Sequence, residues 1–430
     1  MMRVLRCFPA VAVVWAAAAA GAESLEEAWS LALAADHRLH AKQEQVEAAR
    51  WGVAEARSAY RPSVTNYTGY TFLSDTPTAT FAVPGIAGLP ALSLPLAESQ
   101  FAASATLATM PLYAGGRIRS AVHAAGCQVE SARMDHATTV MDVKLEVATY
   151  YTMVLRAERG VEVAEGNVAS LAAHTRDVEN LLAQGLVARN ALLAAEVAHA
   201  DARQRAIQAH HGLDSARAAY NRLLGRPLGA PVTLADVAAS PPEGELTTWT
   251  ETAIGNRPEL AALASEANVL RHQAASQRGA RLPQVGLVGG FGYLENQHLD
   301  PNGLWSLTVG MEWTPFDGGT SAAQRSALEH NARALDRLRA DARSAITLEV
   351  RRAWHDAWET HQRIEVNRRA IAQAEENLRV ARDRFNQGVG TNTEVLDAET
   401  LRTLTFSNFY GAVYDAVLAG YRLRRAAGTL

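Results

Sequence analysis

The sequence has very little cysteine, and after its N-terminal apolar run it has no uninterrupted apolar stretch long enough for a membrane-spanning helix. Its two cysteines are Cys7, inside that run, and Cys127. An intrachain disulfide is therefore excluded once the run is removed. The segment 78–97 is the most apolar of the rest, but its three prolines exclude a continuous helix. A mature chain of this kind can enter a membrane only through strands.

Recognisable catalytic motifs are also lacking. There is no P-loop, no Cys/His set with metal-binding spacing and no nucleophile motif, and the 13 histidines are scattered. We therefore expect no enzyme activity, no cofactor and no bound metal. The formal net charge of −4 gives no sign of a nucleic-acid partner.

The N-terminus has the pattern of a secretory signal peptide. Arg3 and Arg6 precede an apolar core at 10–20, and Ala20-Gly21-Ala22 is a small-residue cleavage signal. A membrane anchor is the alternative, but the apolar run is short for a bilayer span and lacks a stop-transfer flank. The pattern predicts a signal peptide at residues 1–22.

Most of the remaining chain reads as two copies of one plan. The helical segments 25–62 and 246–283 align without a gap, and each ends at a proline. Two strand-like segments, a glycine pair and a very long helical segment follow in both copies. This predicts an internal duplication, with structural repeats at 23–229 and 246–430 and a linker at 230–245.

The long helices carry a coiled-coil pattern. Apolar residues alternate at spacings of three and four from Val140 to Leu182, interrupted only by Thr175, and again from Ile346 to Phe385. Such a 3.5-residue period is typical of coiled coils. A helix from Arg117 to Gln184 would be roughly 100 Å long. The glycine pairs Gly115-Gly116 and Gly318-Gly319 are expected to form the strand-to-helix turns that precede these helices.

Four strands are predicted, at 63–72, 100–113, 284–294 and 304–316, and their lengths suit tilted transmembrane strands. A small soluble sheet capping the helices is the alternative. Four strands cannot close a barrel, whereas three chains would supply twelve. Aromatic residues concentrate near the strand ends, as in the girdles of membrane barrels: Tyr67, Tyr70, Phe72, Phe101, Tyr113, Phe291, Tyr293, Trp305, Trp313 and Phe316.

Several short motifs resemble those of the TolC-type outer-membrane efflux proteins. They include PLYAGG (111–116), PFDGG (315–319), AQGLVARNALLAAE (183–196), NQGVGTNTEVLDAE (386–399) and the closing AAGTL. Each motif is weak alone, but their order and spacing cover almost the whole chain from residue 25.

The resemblance implies an α+β membrane protein that forms a homotrimer in the outer membrane of a Gram-negative bacterium. Its fold would be a 12-stranded β-barrel, four strands per chain, continued by a periplasmic α-helical coiled-coil barrel. Such ducts of tripartite efflux or type I secretion systems conduct substrates passively. Their implied partners are outer-membrane lipid, a periplasmic adaptor (membrane fusion) protein and an inner-membrane transporter.

The resemblance also places the two QG turns at the periplasmic tip, and it matches Glu394 and Asp397 to the family's acidic constriction. Their i, i+3 spacing puts both carboxylates on one helix face, where a ring of acids would favour cations. Glu394 has a second reading, because Thr391-Asn392-Thr393-Glu394 has the form of a capping box.

The tip turns themselves, Gly185-Leu186-Val187 and Gly388-Val389-Gly390, are expected to make the chain reversal and to dock the adaptor. Gly390 and Ala191 stand where the family's type member has a locking arginine and its partner acid, so we expect other contacts here, with Arg189 as one candidate. Glu196 and Glu399 recur in both copies, which favours a structural role such as a helix–helix hydrogen bond.

The main alternative function is a periplasmic coiled-coil adaptor or scaffold that never enters a membrane. Adaptors of that kind usually have one hairpin flanked by lipoyl-like β segments. Two long hairpins and strands of about ten residues favour the duct.

Overall fold

The computed structural model describes residues 21–81, 92–96, 98–297 and 300–430. The predicted signal peptide lies outside the described residues except for Gly21 and Ala22, and part of the 74–98 loop lies outside them too. Among the described residues, no helix combines the length and apolarity needed to cross a bilayer.

Apart from one pair of short strands in the first copy, the helices and strands occur in the same order twice, which supports the predicted duplication. The first series is α1 (Leu25–Ala35), α2 (His37–Ser58), β1 (Ser63–Phe72), β2 (Thr78–Phe81), β3 (Leu92–Pro95), β4 (Gln100–Tyr113), α3 (Arg117–Ala183) and α4 (Arg189–Leu223). The second is α5 (Leu246–Asn256), α6 (Pro258–Ala280), β5 (Gln284–Leu294), β6 (Gly303–Glu312), α7 (Thr320–Asn386) and α8 (Asn392–Ala426).

Three predicted strands have the expected bounds, whereas the fourth ends at Glu312 rather than at Phe316. The two short strands β2 and β3 were not predicted. They pair with each other in a separate antiparallel sheet inside the 74–98 loop.

Each predicted first helix is interrupted about a third of the way along its length. Asp36 and Arg257 occupy equivalent positions in the two copies, and both have extended backbone with ψ of 114°. Pro258 explains the second interruption, because a proline disfavours helical backbone in the residue before it. The first copy has a break of the same geometry without a proline.

The chain divides into two compact units, and each contains parts of both repeats. Among the described residues, the first unit comprises 21–37, Val140–Asn256 and Thr347–Leu430. Its core combines α1 with α3, α4 and the 230–245 segment: Leu25, Ala28, Ala32, Val147, Tyr151, Val154, Leu213, Tyr220 and Leu234 are all buried.

The predicted apolar seam is shielded from solvent in both long helices. In the first copy, none of the thirteen seam positions from Val140 to Leu182 is exposed. Thr175, which interrupts the apolar pattern, is buried, and its hydroxyl donates a hydrogen bond to the Leu171 carbonyl oxygen at 2.8 Å. In the second copy the buried seam residues are Ile346, Val350, Ala357, Ile364, Ala374, Leu378, Ala381 and Phe385.

The second unit comprises Arg38–Thr139 and Arg257–Ile346 and contains the four-stranded antiparallel sheet. The strand order is β1-β4-β5-β6, so β4 of the first repeat pairs directly with β5 of the second. The strands β1 and β6 are the two edges of this sheet.

One face of the β5–β6 ribbon is apolar and exposed. Phe291 pairs with Trp305, Leu287 with Val309 and Val285 with Met311, and paired residues share a face. Trp305 is 78% exposed, and Val309 and Met311 are each 66% exposed. The opposite face is mixed: it carries Gly286, Gly290, Gly292, Ser306 and Thr308 together with the apolar Val288 and Leu304.

The strand-to-helix glycines all have positive φ, as their turns require: Gly115 at 57°, Gly116 at 81°, Gly318 at 69° and Gly319 at 91°. Gly115 also packs against the backbone of α6, since a Cβ at this position would lie 2.4 Å from the Gly279 carbonyl oxygen. Gly116 has open space around it.

Candidate functional site: the helix tips

The two helical hairpins of the first unit reverse at matching glycines. We call α3 and α4 the first hairpin, and α7 and α8 the second hairpin. Gly185 and Gly388 both have φ of 74°, which suits glycine. Glycine is required at position 390 for a different reason, because a Cβ there would lie 3.0 Å from both Arg384 Cβ and Phe385 N. The predicted reversal role of both turns is thus in place.

Below the turns, the two hairpins share an apolar cluster. The side chains come from all four helices, so the tips pack on each other within one chain. The buried members are Val178, Ala195, Leu378, Ala381, Phe385, Val395 and Ala398.

Glu394 lies in the first turn of α8, and half of its predicted capping box is formed. Thr391 is the N-cap, and its hydroxyl accepts a hydrogen bond from Glu394 N at 3.3 Å. The Glu394 carboxylate does not complete the box. Its Oε2 lies 3.4 Å from Arg384 Nη1, at the end of α7. Both side chains are about half exposed, so this ion pair contributes little stability.

Asp397 follows one turn later and is exposed. Within the described residues, its carboxylate makes no ion pair, whereas the charge of Glu394 has a basic neighbour. The two predicted constriction acids therefore differ: Asp397 carries an uncompensated charge, whereas the Glu394 carboxylate lies beside an arginine in a helix turn that Thr391 caps.

Glu399 has the predicted structural role. It is 1% exposed and accepts hydrogen bonds from the Ser170 hydroxyl of α3 and from Arg382 Nη2 of α7. Arg382 also donates to the Ser170 hydroxyl. The three side chains thus join the two hairpins. The equivalent Glu196 is exposed and forms no matching link among the described residues.

A second polar link between the hairpins was not predicted. His174 Nε2 of α3 lies 2.7 Å from Asn392 Oδ1, and Asn392 Nδ2 donates to the Ala191 carbonyl oxygen at 3.1 Å. His174 is 3% exposed, and burial lowers the pKa of its imidazole. The one signal in the sequence is a polar pair, His174-Thr175, inside an apolar seam.

Among the described residues of this single chain, Arg189 forms no contact that joins the hairpins. It is the first residue of α4 and is exposed. The contacts that join the hairpins come from His174, Asn392 and the Glu399 group instead.

The outermost tip residues are apolar and exposed. Leu186 is 67% exposed and Val389 is 65% exposed, whereas Val187 is half-buried beside the shared apolar cluster. In the parts of the chain that the structure describes, no group of three or more His, Cys, Asp or Glu side chains is placed to hold a metal ion.

Comparisons with known proteins agree with this architecture. The family model for outer membrane efflux proteins matches residues 28–226 and 249–429. The alkaline protease secretion protein AprF of Pseudomonas aeruginosa is 25% identical over 305 residues, which cover 67% of this chain and 62% of AprF. The outer membrane efflux protein BepC of Brucella suis is 24% identical over 386 residues, or 88% of this chain and 79% of BepC.

Among solved structures, the channel protein CusC superposes with a TM-score of 0.79 at 17% identity. The superposition covers 94% of this chain and 92% of the CusC chain. At this identity the likeness establishes the fold. The family match over most of the sequence places this chain in the outer membrane efflux protein family, and the predicted resemblance and outer-membrane location are confirmed.

Proposed function

We propose that three copies of this chain form a channel whose 12-stranded β-barrel crosses the outer membrane and continues as an α-helical coiled-coil barrel in the periplasm. The exposed apolar face of β5 and β6 carries this proposal. Exposed to water, such a face would favour aggregation, whereas in a bilayer it would contact the lipid chains. The edges β1 and β6 cannot stay unpaired in lipid, so each edge requires a strand from another copy.

The helix tips form the gate in this proposal. Three copies would bring three Asp397 carboxylates into one constriction, and an acidic ring of this kind favours cations. Glu394 contributes less, because Arg384 lies beside its carboxylate and Thr391 engages its backbone. The link through His174 and Asn392 and the link through Glu399 hold the closed arrangement of the two hairpins.

The exposed tips are the docking point for a periplasmic adaptor protein. Leu186, Val187 and Val389 offer small apolar contacts, and Gly185 and Gly388 have open space that lets another backbone approach closely, while Gly390 shapes the turn beside them. The adaptor connects the channel to an inner-membrane transporter, which selects the cargo and supplies the energy. The channel conducts passively.

Planar-bilayer conductance of the purified protein tests this function. We expect a trimer that requires detergent, and single-channel currents that multivalent cations block from the periplasmic side. Asp397→Asn should raise conductance or weaken that block, whereas Glu394→Gln should have the smaller effect. A protein that stays monodisperse without detergent and conducts no ions would overturn the channel. A conducting channel with unchanged block in Asp397→Asn would overturn only the gate.

A further inference from the structure

Glu23 lies where the predicted signal peptide ends, and its backbone is fixed on both sides. Glu23 N donates to the Thr233 carbonyl oxygen at 2.9 Å, and Ala235 N donates to the Glu23 carbonyl oxygen at 2.9 Å. These bonds form a parallel bridge to Leu234, in the 230–245 segment. Glu23 directly precedes Ser24, the N-cap of α1, so hydrogen bonds already fix the backbone before the helix begins.

The Glu23 side chain is held as well. Its Oε1 accepts a hydrogen bond from the Tyr220 hydroxyl at 2.9 Å, and its Oε2 lies 2.7 Å from Arg226 Nη1. The carboxylate-bearing side chain is 15% exposed, and Tyr220 is fully buried. The Tyr151 hydroxyl lies 2.7 Å from the Glu23 carbonyl oxygen, so a second buried tyrosine contacts the same residue.

The two residues before Glu23 have a different environment. Gly21 and Ala22 are exposed, and they belong to the small-residue signal Ala20-Gly21-Ala22. The boundary between exposed and held backbone therefore coincides with the predicted cleavage site. The cleavage signal is read from the sequence, whereas the contacts of Glu23 are read from the structure, so the two observations are independent.

We propose that Glu23 is the first residue of the mature chain and that Thr233, Tyr220, Arg226 and Ala235 form a receptor for this new N-terminus. Leader peptidase adds water across the Ala22–Glu23 peptide bond. The C–N bond breaks, Ala22 leaves with a carboxylate, and Glu23 keeps an α-ammonium. This ammonium retains a hydrogen to donate to Thr233 and has solvent on its other side.

The charge of the new terminus is accommodated locally. An ammonium near the N-terminus of a helix is unfavourable because the helix dipole is positive there. Glu26 and Glu27 lie in the first turn of α1 and offset that repulsion, and Glu27 Oε2 accepts from Ser24 N at 2.8 Å.

The receptor also determines the sequence of two events, the cleavage of the precursor and the docking of Glu23. A peptidase binds its substrate as an extended strand through backbone hydrogen bonds, and the backbone N–H and C=O of Glu23 are both engaged here. Cleavage therefore precedes docking of Glu23.

N-terminal sequencing of the protein purified from outer membranes tests the first claim. We expect Glu-Ser-Leu-Glu-Glu, and any other starting residue overturns the proposal. Neither result depends on channel activity, so this test is separate from that of the proposed function.

Purified leader peptidase, acting on the full precursor, tests the second claim. We expect the precursor refolded in detergent to be cut at least about tenfold more slowly than the urea-unfolded precursor, because cleavage then requires local opening. Arg226→Gln should restore faster cutting of the refolded form. The control Arg222→Gln, an exposed arginine on the same segment, should not.

Circular dichroism establishes that both variants are folded before the assay. Equal cutting of folded and unfolded wild-type precursor would overturn the receptor, and so would equal cutting of refolded Arg226→Gln and Arg222→Gln.

Discussion

Asn392 Oδ1 lies 2.7 Å from His174 Nε2 and thereby joins the second hairpin to the first. The same amide donates to the Ala191 carbonyl oxygen at 3.1 Å, so one side chain contacts both helices of the first hairpin. Neither Gly390 nor Ala191 has a side chain able to form an ion pair here. The backbone of Ala191 and the side chain of Asn392 make the contact instead.

Acidification should loosen this contact. Burial lowers the pKa of His174 in the folded protein, so the unfolded chain binds more protons as the pH falls below the usual histidine range. Stability is complete above a pH of about 6.5 and is lost as the pH falls toward the folded pKa. Arg382 of α7 opposes protonation of His174, whereas Asp177 of α3 and Glu399 of α8 favour it.

Hydrogen exchange measured at pH 7.5 and pH 5.5 checks this expectation. After correction for intrinsic rates, amides at the start of α8 should exchange several-fold faster at the lower pH. His174→Gln removes the titrating group and should abolish the difference. The expectation fails if wild type and His174→Gln respond equally to pH.

Loss of the α8 cap should destabilise the second hairpin. The Thr391 hydroxyl accepts from Glu394 N, and Thr391→Ala leaves that amide without its cap, at a cost of about 1 kcal/mol. Thr393→Ala is the matched control, because Thr393 is exposed and follows the N-cap. Hydrogen exchange of the first α8 turn reports the change, and equal effects of the two variants would contradict the capping role.

The equivalent glutamates should respond very differently to substitution. Glu399→Ala leaves Arg382 and Ser170 without their shared acceptor and should cost about 2–3 kcal/mol, a moderate value because Arg382 is 36% exposed. Glu196→Ala should change stability by less than about 0.5 kcal/mol, because Glu196 is exposed. Thermal unfolding in detergent compares them, and similar melting temperatures would refute the buried link.

Two adjacent glycines should likewise differ. Gly115→Ala combines a left-handed backbone with a clash against the Gly279 carbonyl oxygen, whereas Gly116→Ala has only the backbone strain. We expect Gly116→Ala to cost about 1–2 kcal/mol and Gly115→Ala to cost more. Yield of detergent-stable oligomer and melting temperature measure this, and the reverse order would contradict the packing of Gly115 on α6.

Periodicity and turn chemistry predicted most of the fold. The internal repeat and its prolines located β1, β4 and β5 to the residue, and the glycine pairs located the starts of α3 and α7. The break at Arg257 was not predicted, although Pro258 is a signal for it. The break at Asp36 had no such signal.

The candidate site was less predictable. The acids and turns at the tips came from matching motifs, whereas the contacts of His174 and of Arg382 depend on which faces of four helices meet. A single sequence shows the apolar seam that brings these helices together. It does not show which polar residues face each other across that seam. Glu394 illustrates the point, since its motif predicted a backbone bond and its carboxylate lies beside Arg384 instead.

The pairing of β4 with β5 has a consequence for how the chain folds. Residues 114–283, which include the whole first hairpin, lie between these neighbouring strands. Closing a loop of this length costs conformational entropy before any contact between the strands can form. Contacts this distant in sequence therefore form slowly. The helices, whose bonds are local, are free to form first. A chain halted before β5 would leave β4 as an open edge, so the sheet is completed only once β5 and β6 of the second repeat are available.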